Sequence, residues 1–378
     1  MPISQLRKPL LPSHFSVWFD PPDEAGEEVL HIVSERRSLK LKGHSFREFR
    51  QKVIPLLDGQ HTLQDIKEAT RDLFRPEDLD ECLNLLCNQG ILVEADHDYL
   101  SSDVALRMAP QLNFFRDAAP GLDLQHKLMK ADVAVIGLGG AGMGTALALG
   151  AAGIGTIRCI DSLPLTPADI YLSPFIDLEQ VGSSRAGSAA KLLRASAPQV
   201  KVLLYDQPLQ AEDQIGTAIK GASVVICCLD ASQSNLIFKL NRVCLADRIR
   251  WISCALSGAE IIVGPAIQPG RGPCYLCYRM RTVACAGNPD EAFAYEKYLD
   301  RRKQDDSARR ENLVFGAGLA ANLLGLEVVK ELTGLCEPSL TGRILTIRLT
   351  DLAIDRHTVL RKPWCPGCFP RVEAAHAD

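Results

Sequence analysis

The chain has 378 residues, of which 47% are hydrophobic and 23% are charged, enough for two or three domains with a sizeable core. The formal net charge of -4 gives no indication of a nucleic-acid partner. No apolar run reaches the ~20 residues that cross a membrane, and the stretch MPISQLRKPLLP lacks the apolar segment of a signal peptide. Thirteen cysteines without a secretion signal indicate reduced thiols or metal ligands, so a cytoplasmic location is expected.

Residues 1–100 are predicted to form a small winged-helix-like α+β module. The alternating stretch HIVSERRSLKLKG predicts a strand, with EEVL before it as a hairpin partner. Three amphipathic patterns then predict helices, and a short strand follows at residues 91–94. The predicted caps of these helices are Ser45 and Gly59, Thr62 with Asp65, and Gly90. No catalytic constellation is visible, so the module is predicted to bind rather than to catalyse.

Residues 101–130 are predicted to be a connector, and residues 131–378 an α/β domain with a mostly parallel sheet. Strands alternating with helices of this length indicate a parallel sheet covered on both faces. The predicted strands are 133–136, 156–160, 200–205, 223–228 and 250–254, and the helices between them are 142–152, 184–196, 209–220 and 232–246. The remainder is predicted to hold a strand pair in GAEIIVGPAIQPG, a loop or exposed helix at 290–311, a helix at 316–332 and a strand at 343–349.

A glycine loop lies in VAVIGLGGAGMG, residues 133–144. Gly137, Gly139 and Gly142 have the G-x-G-x-x-G spacing between a predicted strand and a predicted helix, where backbone N–H groups can face a phosphate. Asp161 ends the next apolar run about 20 positions later, where a ribose-binding carboxylate belongs. Two interpretations stay open: a nucleotide site, or only a tight strand–helix turn.

Two C-x-x-C pairs predict a structural zinc site. They are Cys274 and Cys277 in CYLC, and Cys365 and Cys368 in CPGC. Four thiolates give a closed tetrahedral site with no open position for chemistry. The alternative is a chance or redox pair. Other cysteines, including Cys227, Cys228 and Cys254, lie in apolar strands and are predicted to be core.

The order of these motifs resembles the ThiF/MoeB/ubiquitin-activating-enzyme superfamily over roughly residues 107–370. The motifs are the glycine loop, the aspartate after the second strand, ICCLDAS after the fourth, GPCYLC and the final CPGC. The stretches VVICCLDASQSNLIFKLNRVCLA and VGPAIQPGRGPCYLC look most like the members that modify ribosomally made peptides. These are the microcin C-type adenylating enzymes and the partners of azoline-forming cyclodehydratases. VIPLLDGQHTLQDI and LLCNQGILVEA resemble the PqqD-like recognition element of those pathways.

The resemblance implies a Rossmann-like ThiF-type domain that adenylates a carboxylate with Mg-ATP. It assigns the phosphates to the loop, the ribose to Asp161 and magnesium to Asp230. The loop residues concerned are Gly137, Gly139, Gly140 and Gly142.

The sequence departs from this family pattern at several charged positions. Leu163 replaces the second aspartate of a D-x-D pair, and Arg185 stands where a lysine is expected. The segment TPADIYLSPF offers Asp169 and Leu172 in place of an asparagine and an arginine. Loss of a preorganised cation costs ~10²–10³ in rate for phosphoryl chemistry. Arg107 or Arg116 could supply an arginine finger, but neither aligns cleanly. The nucleotide site is therefore predicted to be inherited and idle.

Two other enzyme classes are less well supported. Cys285 lies in the region of a ubiquitin-type transfer cysteine, but an incidental loop cysteine is the favoured interpretation. The glycine loop alone also allows a nicotinamide oxidoreductase. The paired C-x-x-C motifs and the lack of a substrate domain argue against that class.

Two functional hypotheses follow from these motifs. In the first, the chain binds the leader of a precursor peptide and presents its core to a YcaO-type cyclodehydratase, with the leader adding a strand to the N-terminal sheet against the third helix. In the second, the chain is itself an ATP-dependent adenylating or cyclising enzyme that uses Asp161, Arg185 and Asp230. A structural zinc and a homodimer are expected in both, and ATP with magnesium in the second. Neighbouring genes would discriminate between them, since a YcaO gene favours the first.

Overall fold

The computed structural model describes residues 3–22, 24, 26–95, 100–119, 123–229, 233–301 and 312–369. The chain divides into two compact units, Met1–His126 and Lys127–Asp378. Among the described helices, none is long and apolar enough to cross a membrane.

The first unit opens with a three-stranded antiparallel sheet. The first four strands of the unit are β1 (Pro9–Leu10), β2 (Ser16–Asp20), β3 (Glu28–Val33) and β4 (Ser38–Gly43). The last three of them form this sheet. The sheet order is β2-β3-β4, so β2 and β4 are its edges. The predicted hairpin of EEVL with a single strand in HIVSERRSLKLKG is wrong, because β3 runs from EEVL into HIV and pairs with β4, which holds the rest of the predicted strand. The turn lies instead at Ser34–Arg37, where the Ser34 hydroxyl accepts hydrogen bonds from the backbone N–H groups of Arg36 and Arg37 at 3.3 and 3.1 Å.

The first predicted helix is irregular. A single turn, α1 (Phe46–Glu48), passes into a π-helical turn at Phe49–Val53 and a 3-10 turn at Ile54–Leu56. The predicted cap at Ser45 is wrong, since that residue has a left-handed φ of 63° and makes no side-chain cap hydrogen bond. Pro55 lacks the N–H that a continuing α-helix requires, which explains the change of helix type.

The next two helices begin and end as predicted. They are α2 (Leu63–Thr70) and α3 (Pro76–Asn88), followed by β5 (Val93–Glu94), which pairs with β1. Thr62 and Asp65 form a reciprocal capping box, with Thr62 N–H donating to Asp65 at 2.8 Å. Gly90 has a φ of 68°, the left-handed conformation that ends a helix at low cost.

The segment predicted as a connector carries three helices. They are α4 (Ser102–Arg107), α5 (Ala109–Ala118) and α6 (Leu124–Lys130). The division between the two compact units falls within α6.

The second unit is built on an eight-stranded sheet in the order β13-β12-β11-β10-β9-β6-β7-β8. Its elements begin with β6 (Asp132–Ile136), α7 (Gly140–Ala151), β7 (Thr156–Ile160), α8 (Pro167–Leu172), α9 (Arg185–Ser196), β8 (Lys201–Tyr205), α10 (Glu212–Ile219), β9 (Val224–Cys227), α11 (Ser234–Ala246), β10 (Trp251–Ser257) and β11 (Glu260–Ile267). They continue with α12 (Tyr275–Ala284), α13 (Pro289–Arg301), α14 (Val314–Thr333), β12 (Arg343–Arg348) and β13 (Ile354–Thr358).

The predicted parallel sheet is confirmed. Strands β8, β7, β6, β9 and β10 are parallel neighbours, whereas β11, β12 and β13 join antiparallel. The chain runs outward from β6 to β8 on one side and from β9 to β10 on the other. A crevice therefore opens at the carboxyl ends of β6 and β9, which is where open α/β sheets bind ligands. The short helix α8 and the strand β13 were not predicted. Of the charged stretch 290–311, residues up to Arg301 are helical and 302–311 lie outside the described residues.

Small residues bring the central helices close together. A Cβ added at Gly144 of α7 would lie 2.9 Å from the Cβ of Ala321 on α14. The approach is closer still at Gly142, where an added Cβ would lie 1.8 Å from the backbone oxygen of Gly137. The glycine pattern is therefore required for packing of α7 against the end of β6, whatever the loop binds.

We predict that Gly142→Ala strongly destabilises the protein and that Gly325→Ala, within α14, does not. The first change forces a backbone shift and is expected to cost more than ~3 kcal/mol, whereas a Cβ at Gly325 meets Ala148 at an ordinary 3.9 Å. Replacing glycine by alanine in a helix interior then raises the free energy of unfolding by about 0.5–1 kcal/mol. Urea unfolding of both variants measures the difference, and similar midpoints for the two would contradict this assignment.

Candidate functional site: a crevice at the sheet end and a four-cysteine cluster

The glycine loop has the geometry of a nucleotide-fold turn. Gly137 has a φ of 85°, and a Cβ there would lie 2.4 Å from the backbone oxygen of Cys228. Its N–H donates to Ile160 O at 3.0 Å, and Gly139 precedes the first turn of α7. The turn is thus fixed between the ends of β6, β7 and β9.

The phosphate-binding part of this loop is covered. Residues 137–143 are all buried. A Cβ at Gly140 would lie 2.7 Å from the Leu172 Cβ and 3.1 Å from the Ala317 Cβ, so these two apolar side chains pack against the start of α7. Backbone N–H groups at a helix start bind an anion only where the anion can reach them. Leu172, in the segment where the resemblance expects an arginine, seals this position instead.

The carboxylate of Asp161, the predicted ribose ligand, is hydrogen-bonded to the glycine loop. One carboxylate oxygen accepts from Leu138 N–H at 2.7 Å, and the other accepts from Leu163 N–H at 2.8 Å. Only 9% of the residue is exposed, but it lines the crevice. A carboxylate has about four acceptor positions, so ribose hydroxyls could still be accommodated.

Arg185 is paired with a second aspartate that sequence reasoning did not link to it. Its Nη2 donates to both oxygens of Asp169 at 2.7 and 2.9 Å, and its Nε donates to Asp169 Oδ2 at 3.1 Å. Its Nη1 lies 3.5 Å from Asp161 Oδ2. Asp169 is fully buried and Arg185 is 2% exposed. The pattern T-x-x-D at Thr166–Asp169 was the available signal, because it marks a capping box that fixes the carboxylate beside α9.

The crevice forms a cavity of about 420 Å³ at the carboxyl ends of β6 to β9. Its ionisable lining residues in the described part of the chain are Asp161 and Arg185. The remaining lining residues are apolar or neutral: Ile136, Gly137, Ile160, Ser162, Leu163, Gln207, Pro208, Leu209, Gln210, Leu229, Gln233 and Leu236. With Asp169, the network holds two carboxylates and one guanidinium.

These residues fit part of a nucleotide but not its phosphates. Asp161 and the glutamine amides suit the hydroxyls and polar edges of a nucleoside. A triphosphate with its magnesium needs cations that are available to the phosphates, and the cation in the described lining, Arg185, is paired with Asp169. Asp230, the predicted magnesium ligand, lies outside the described residues.

The other candidates lie elsewhere in the chain. Arg107 and Arg116, the arginine-finger candidates, are on α4 and α5 of the first unit. Cys285 is exposed at the end of α12. By contrast, Cys227, Cys228 and Cys254 are buried, which confirms them as core; burial raises the pKa of Cys227 to about 12.

The two C-x-x-C pairs meet in one cluster. The Sγ atoms of Cys274, Cys277, Cys365 and Cys368 lie within 4.8 Å of one another. The sulfur–sulfur distances are 4.0 Å for 274–277, 3.8 Å for 274–365 and 3.6 Å for 277–368. A tetrahedron with zinc–sulfur bonds of ~2.3 Å has edges of ~3.8 Å. The cluster therefore fits a zinc ion.

Local structure favours the thiolate form at Cys277. Burial raises its pKa, but hydrogen bonds from the backbone N–H of Lys362 and from the neighbouring cysteines outweigh burial, so the pKa lies below its usual value. Cys277 is also in the first turn of α12, where the helix N-terminus stabilises negative charge. Three of the four cysteines are at most 1% exposed, which leaves no room for a substrate and indicates a structural role.

We predict about one zinc per chain, and that Cys274→Ser or Cys368→Ser lowers stability rather than activity alone. Loss of one ligand removes binding free energy that is also folding free energy, so a loss of several kcal/mol is expected. Exposed Cys336→Ser is the matched control and should keep both zinc and melting temperature. Elemental analysis and thermal unfolding give the answer, and a metal-free wild-type protein that is well folded would refute it.

Comparison with known proteins agrees with this architecture. Protein HesA of Nostoc sp. is 26% identical over 247 residues, covering 65% of this chain and 87% of HesA. A sulfur carrier protein adenylyltransferase of Thermus thermophilus is 25% identical over 252 residues, covering 66% of this chain and 86% of that protein.

Solved structures match almost the whole chain. E. coli MccB with ATP superposes with a TM-score of 0.64 at 17% identity, covering 96% of this chain and 99% of MccB. PaaA superposes with a TM-score of 0.65 at 18% identity, covering 92% and 99%. At these identities the likeness establishes the fold alone. The ThiF family model matches residues 108–367, more than half of the chain, and the protein is therefore a member of the ThiF family.

Proposed function

We propose that this ThiF-family protein binds the leader of a ribosomally made precursor peptide and presents its core to a separate modifying enzyme. The observation that carries the proposal is the unpaired edge of β4 in the first unit, which follows a turn that is hydrogen-bonded to the end of α3. Strand β4 pairs with β3 over all six residues, and it ends the sheet within the described part of the chain. A terminal strand of this kind can take an extended peptide as one further strand.

Arg37 holds this edge close to the end of α3. Its Nη1 donates to the backbone oxygens of Gln89 and Gly90 at 2.8 and 3.0 Å, and its Nε lies 3.1 Å from Asp117. The start of β4 and the C-terminal end of α3 are therefore fixed to each other. A peptide strand added to β4 would run beside α3, where Leu85 is 37% exposed.

Side chains along β4 indicate which leader would fit. Leu39 and Leu41 pack against the core of the unit, whereas Lys40 is exposed on the opposite face. Successive side chains of a strand alternate between faces, so an added leader would place apolar side chains on one side and polar ones near Lys40. A leader with alternating apolar and acidic residues suits this edge.

Likeness to peptide-processing proteins supports the same proposal. MccB, whose fold this chain shares, is described as a microcin C7 biosynthetic enzyme and has been solved with the peptide MccA. A YcaO-type cyclodehydratase as the catalytic partner, and a homodimer, belong to the proposal as expectations. The sealed loop and the paired Arg185 favour a presenting role for the ThiF unit over a catalytic one.

The second candidate function is that of an ATP-dependent enzyme that adenylates a carboxylate or amide of the peptide. It is favoured by the crevice with Asp161 in its wall and by the adenylyltransferase names among the relatives. In this candidate Arg185 would have to leave Asp169 before its Nε and Nη2 could bind a phosphate. Breaking a buried pair of this kind typically costs ~3–5 kcal/mol, so the first candidate is preferred.

The leader site is predicted to lie in the first unit. Deletion of residues 1–100 should abolish binding of a fluorescein-labelled precursor encoded beside the gene, while the remainder keeps its zinc. In the full chain, Lys40→Glu should weaken binding about three- to fivefold, since an exposed charge pair is worth up to ~1 kcal/mol. Lys52→Glu, an equal charge change at an exposed residue outside the sheet, is the control. Fluorescence polarisation measures precursor binding by the deletion variant and by the two lysine variants. Undiminished binding by the 105–378 fragment would exclude this assignment.

The chain alone is predicted to release no pyrophosphate or phosphate when mixed with precursor and ATP. Asp230→Ala should then leave product formation in the complete system largely intact, because a magnesium ligand without magnesium contributes little. If the chain is the enzyme, the same change should cost orders of magnitude in rate, since the metal offsets charge on the phosphates. Precursor-dependent ATP consumption by the purified chain would decide for the second candidate.

A further inference from the structure

Arg185 donates to Asp169 in the geometry that arginine uses for phosphate. Three N–H···O contacts of 2.7, 2.9 and 3.1 Å join the planar guanidinium to the two carboxylate oxygens. Arginine binds carboxylate and phosphate through the same two-pronged arrangement. Arg185 lines the crevice, whereas Asp169 is not part of its lining. The Asp169 carboxylate therefore occupies the N–H groups with which Arg185 would bind a phosphate in this arrangement.

Asp169 keeps this position independently of Arg185. Its Oδ2 accepts from both the backbone N–H and the hydroxyl of Thr166, each at 2.7 Å, in the capping box of α8. Its side chain is 1% exposed. The carboxylate is fixed by the start of its own helix, so it cannot swing away to admit a competing anion.

The charge balance around the crevice also opposes a phosphate. Asp161 lies 3.5 Å from the same guanidinium, so among the described residues of this network one positive charge faces two negative ones. These groups are buried, and Coulomb interactions between buried charges are screened much less than at the surface. A phosphate entering the crevice meets net negative charge and a guanidinium that has already been neutralised.

We propose that Asp169 is a built-in substitute for a ligand phosphate, and that it excludes nucleotides from the crevice. This inference rests on the proposed function, in which the ThiF unit does not use ATP. Asp169 is then the specificity-determining residue that separates this chain from an ATP-binding ThiF protein. It acts by holding Arg185, and it contacts no substrate itself.

Pyrophosphate binding to the full-length, zinc-loaded protein tests the inference by calorimetry. Asp169→Asn keeps the side-chain shape and can still accept from the Thr166 N–H, but it frees the guanidinium from its counter-charge. We expect this variant to bind pyrophosphate about ten- to a hundredfold more tightly than wild type, the scale of one charge-assisted hydrogen bond.

Two controls separate this effect from general changes in charge. The double variant Asp169→Asn/Arg185→Gln should lose the gain, because the new affinity requires the freed arginine. Asp132→Asn removes the carboxylate paired with Arg158 in the same sheet, at 2.7 Å, and should show no gain. Leader binding by polarisation should be unchanged in all three variants.

Three results would overturn the inference. They are a folded Asp169→Asn variant with wild-type affinity, a gain that persists without Arg185, and wild-type pyrophosphate binding that Arg185→Gln abolishes. If Asp169→Asn fails to fold, Asp169→Gln replaces it, since glutamine also completes a capping box at this position. The comparison of wild type with Arg185→Gln needs neither variant. A failure of leader binding in the first unit would refute the proposed function and leave these outcomes unchanged.

Discussion

The buried guanidinium of Arg185 is the interaction on which the crevice depends. It contacts Asp161 at the end of β7 and Asp169 near the start of α8. Arg185 itself begins α9, and its backbone N–H donates to Leu163 O at 3.1 Å. Asp161 extends the connection to the glycine loop through Leu138. Because α8 is fixed in this way, its last residue, Leu172, packs against Gly140. Neutralisation of the cation and closure of the loop are thus two results of one arrangement.

The glycine motif and nucleotide binding are separable in this structure. Gly137 is needed because its φ is 85° and the backbone of Cys228 lies against it, and Gly142 because α7 crosses the backbone of Gly137. Both demands come from the packing of strand, turn and helix, and neither involves a ligand. A protein can therefore keep the whole pattern for its fold while the ligand chemistry depends on the charged residues around it.

Sequence patterns predicted the features that depend on local chemistry. The alternation of apolar strands and helices gave the parallel sheet, Thr62 with Asp65 gave the start of α2, and the paired C-x-x-C motifs gave the cysteine cluster. Each of these rests on residues a few positions apart or on a spacing that is typical of one kind of site.

Features that depend on contacts distant in sequence could not be predicted in this way. Asp169 and Arg185 are 16 residues apart; the T-x-x-D pattern marks the start of α8, but it does not show that Arg185 lies against this carboxylate. From the sequence, Leu172 indicated only the loss of a cation. Its packing on Gly140 depends on the position of α8, which the sequence did not predict. The prediction of one regular helix after Ser45 was wrong for a local reason, because Pro55 interrupts a pattern whose apolar spacing is otherwise helical.

The cysteine cluster has a topological consequence. Cys274 and Cys365 are 91 residues apart, and the chain between them contains α12, α13, α14, β12, β13 and the segment 302–311. A bound ion would close this chain into a loop, much as a disulfide does, and would lower the entropy of the unfolded ensemble. The entropy of loop closure grows only with the logarithm of length, so each doubling adds only ~0.6 kcal/mol. The enclosed segments can therefore gain or lose residues at little thermodynamic cost, which leaves this part of the molecule open to changes in what it contacts.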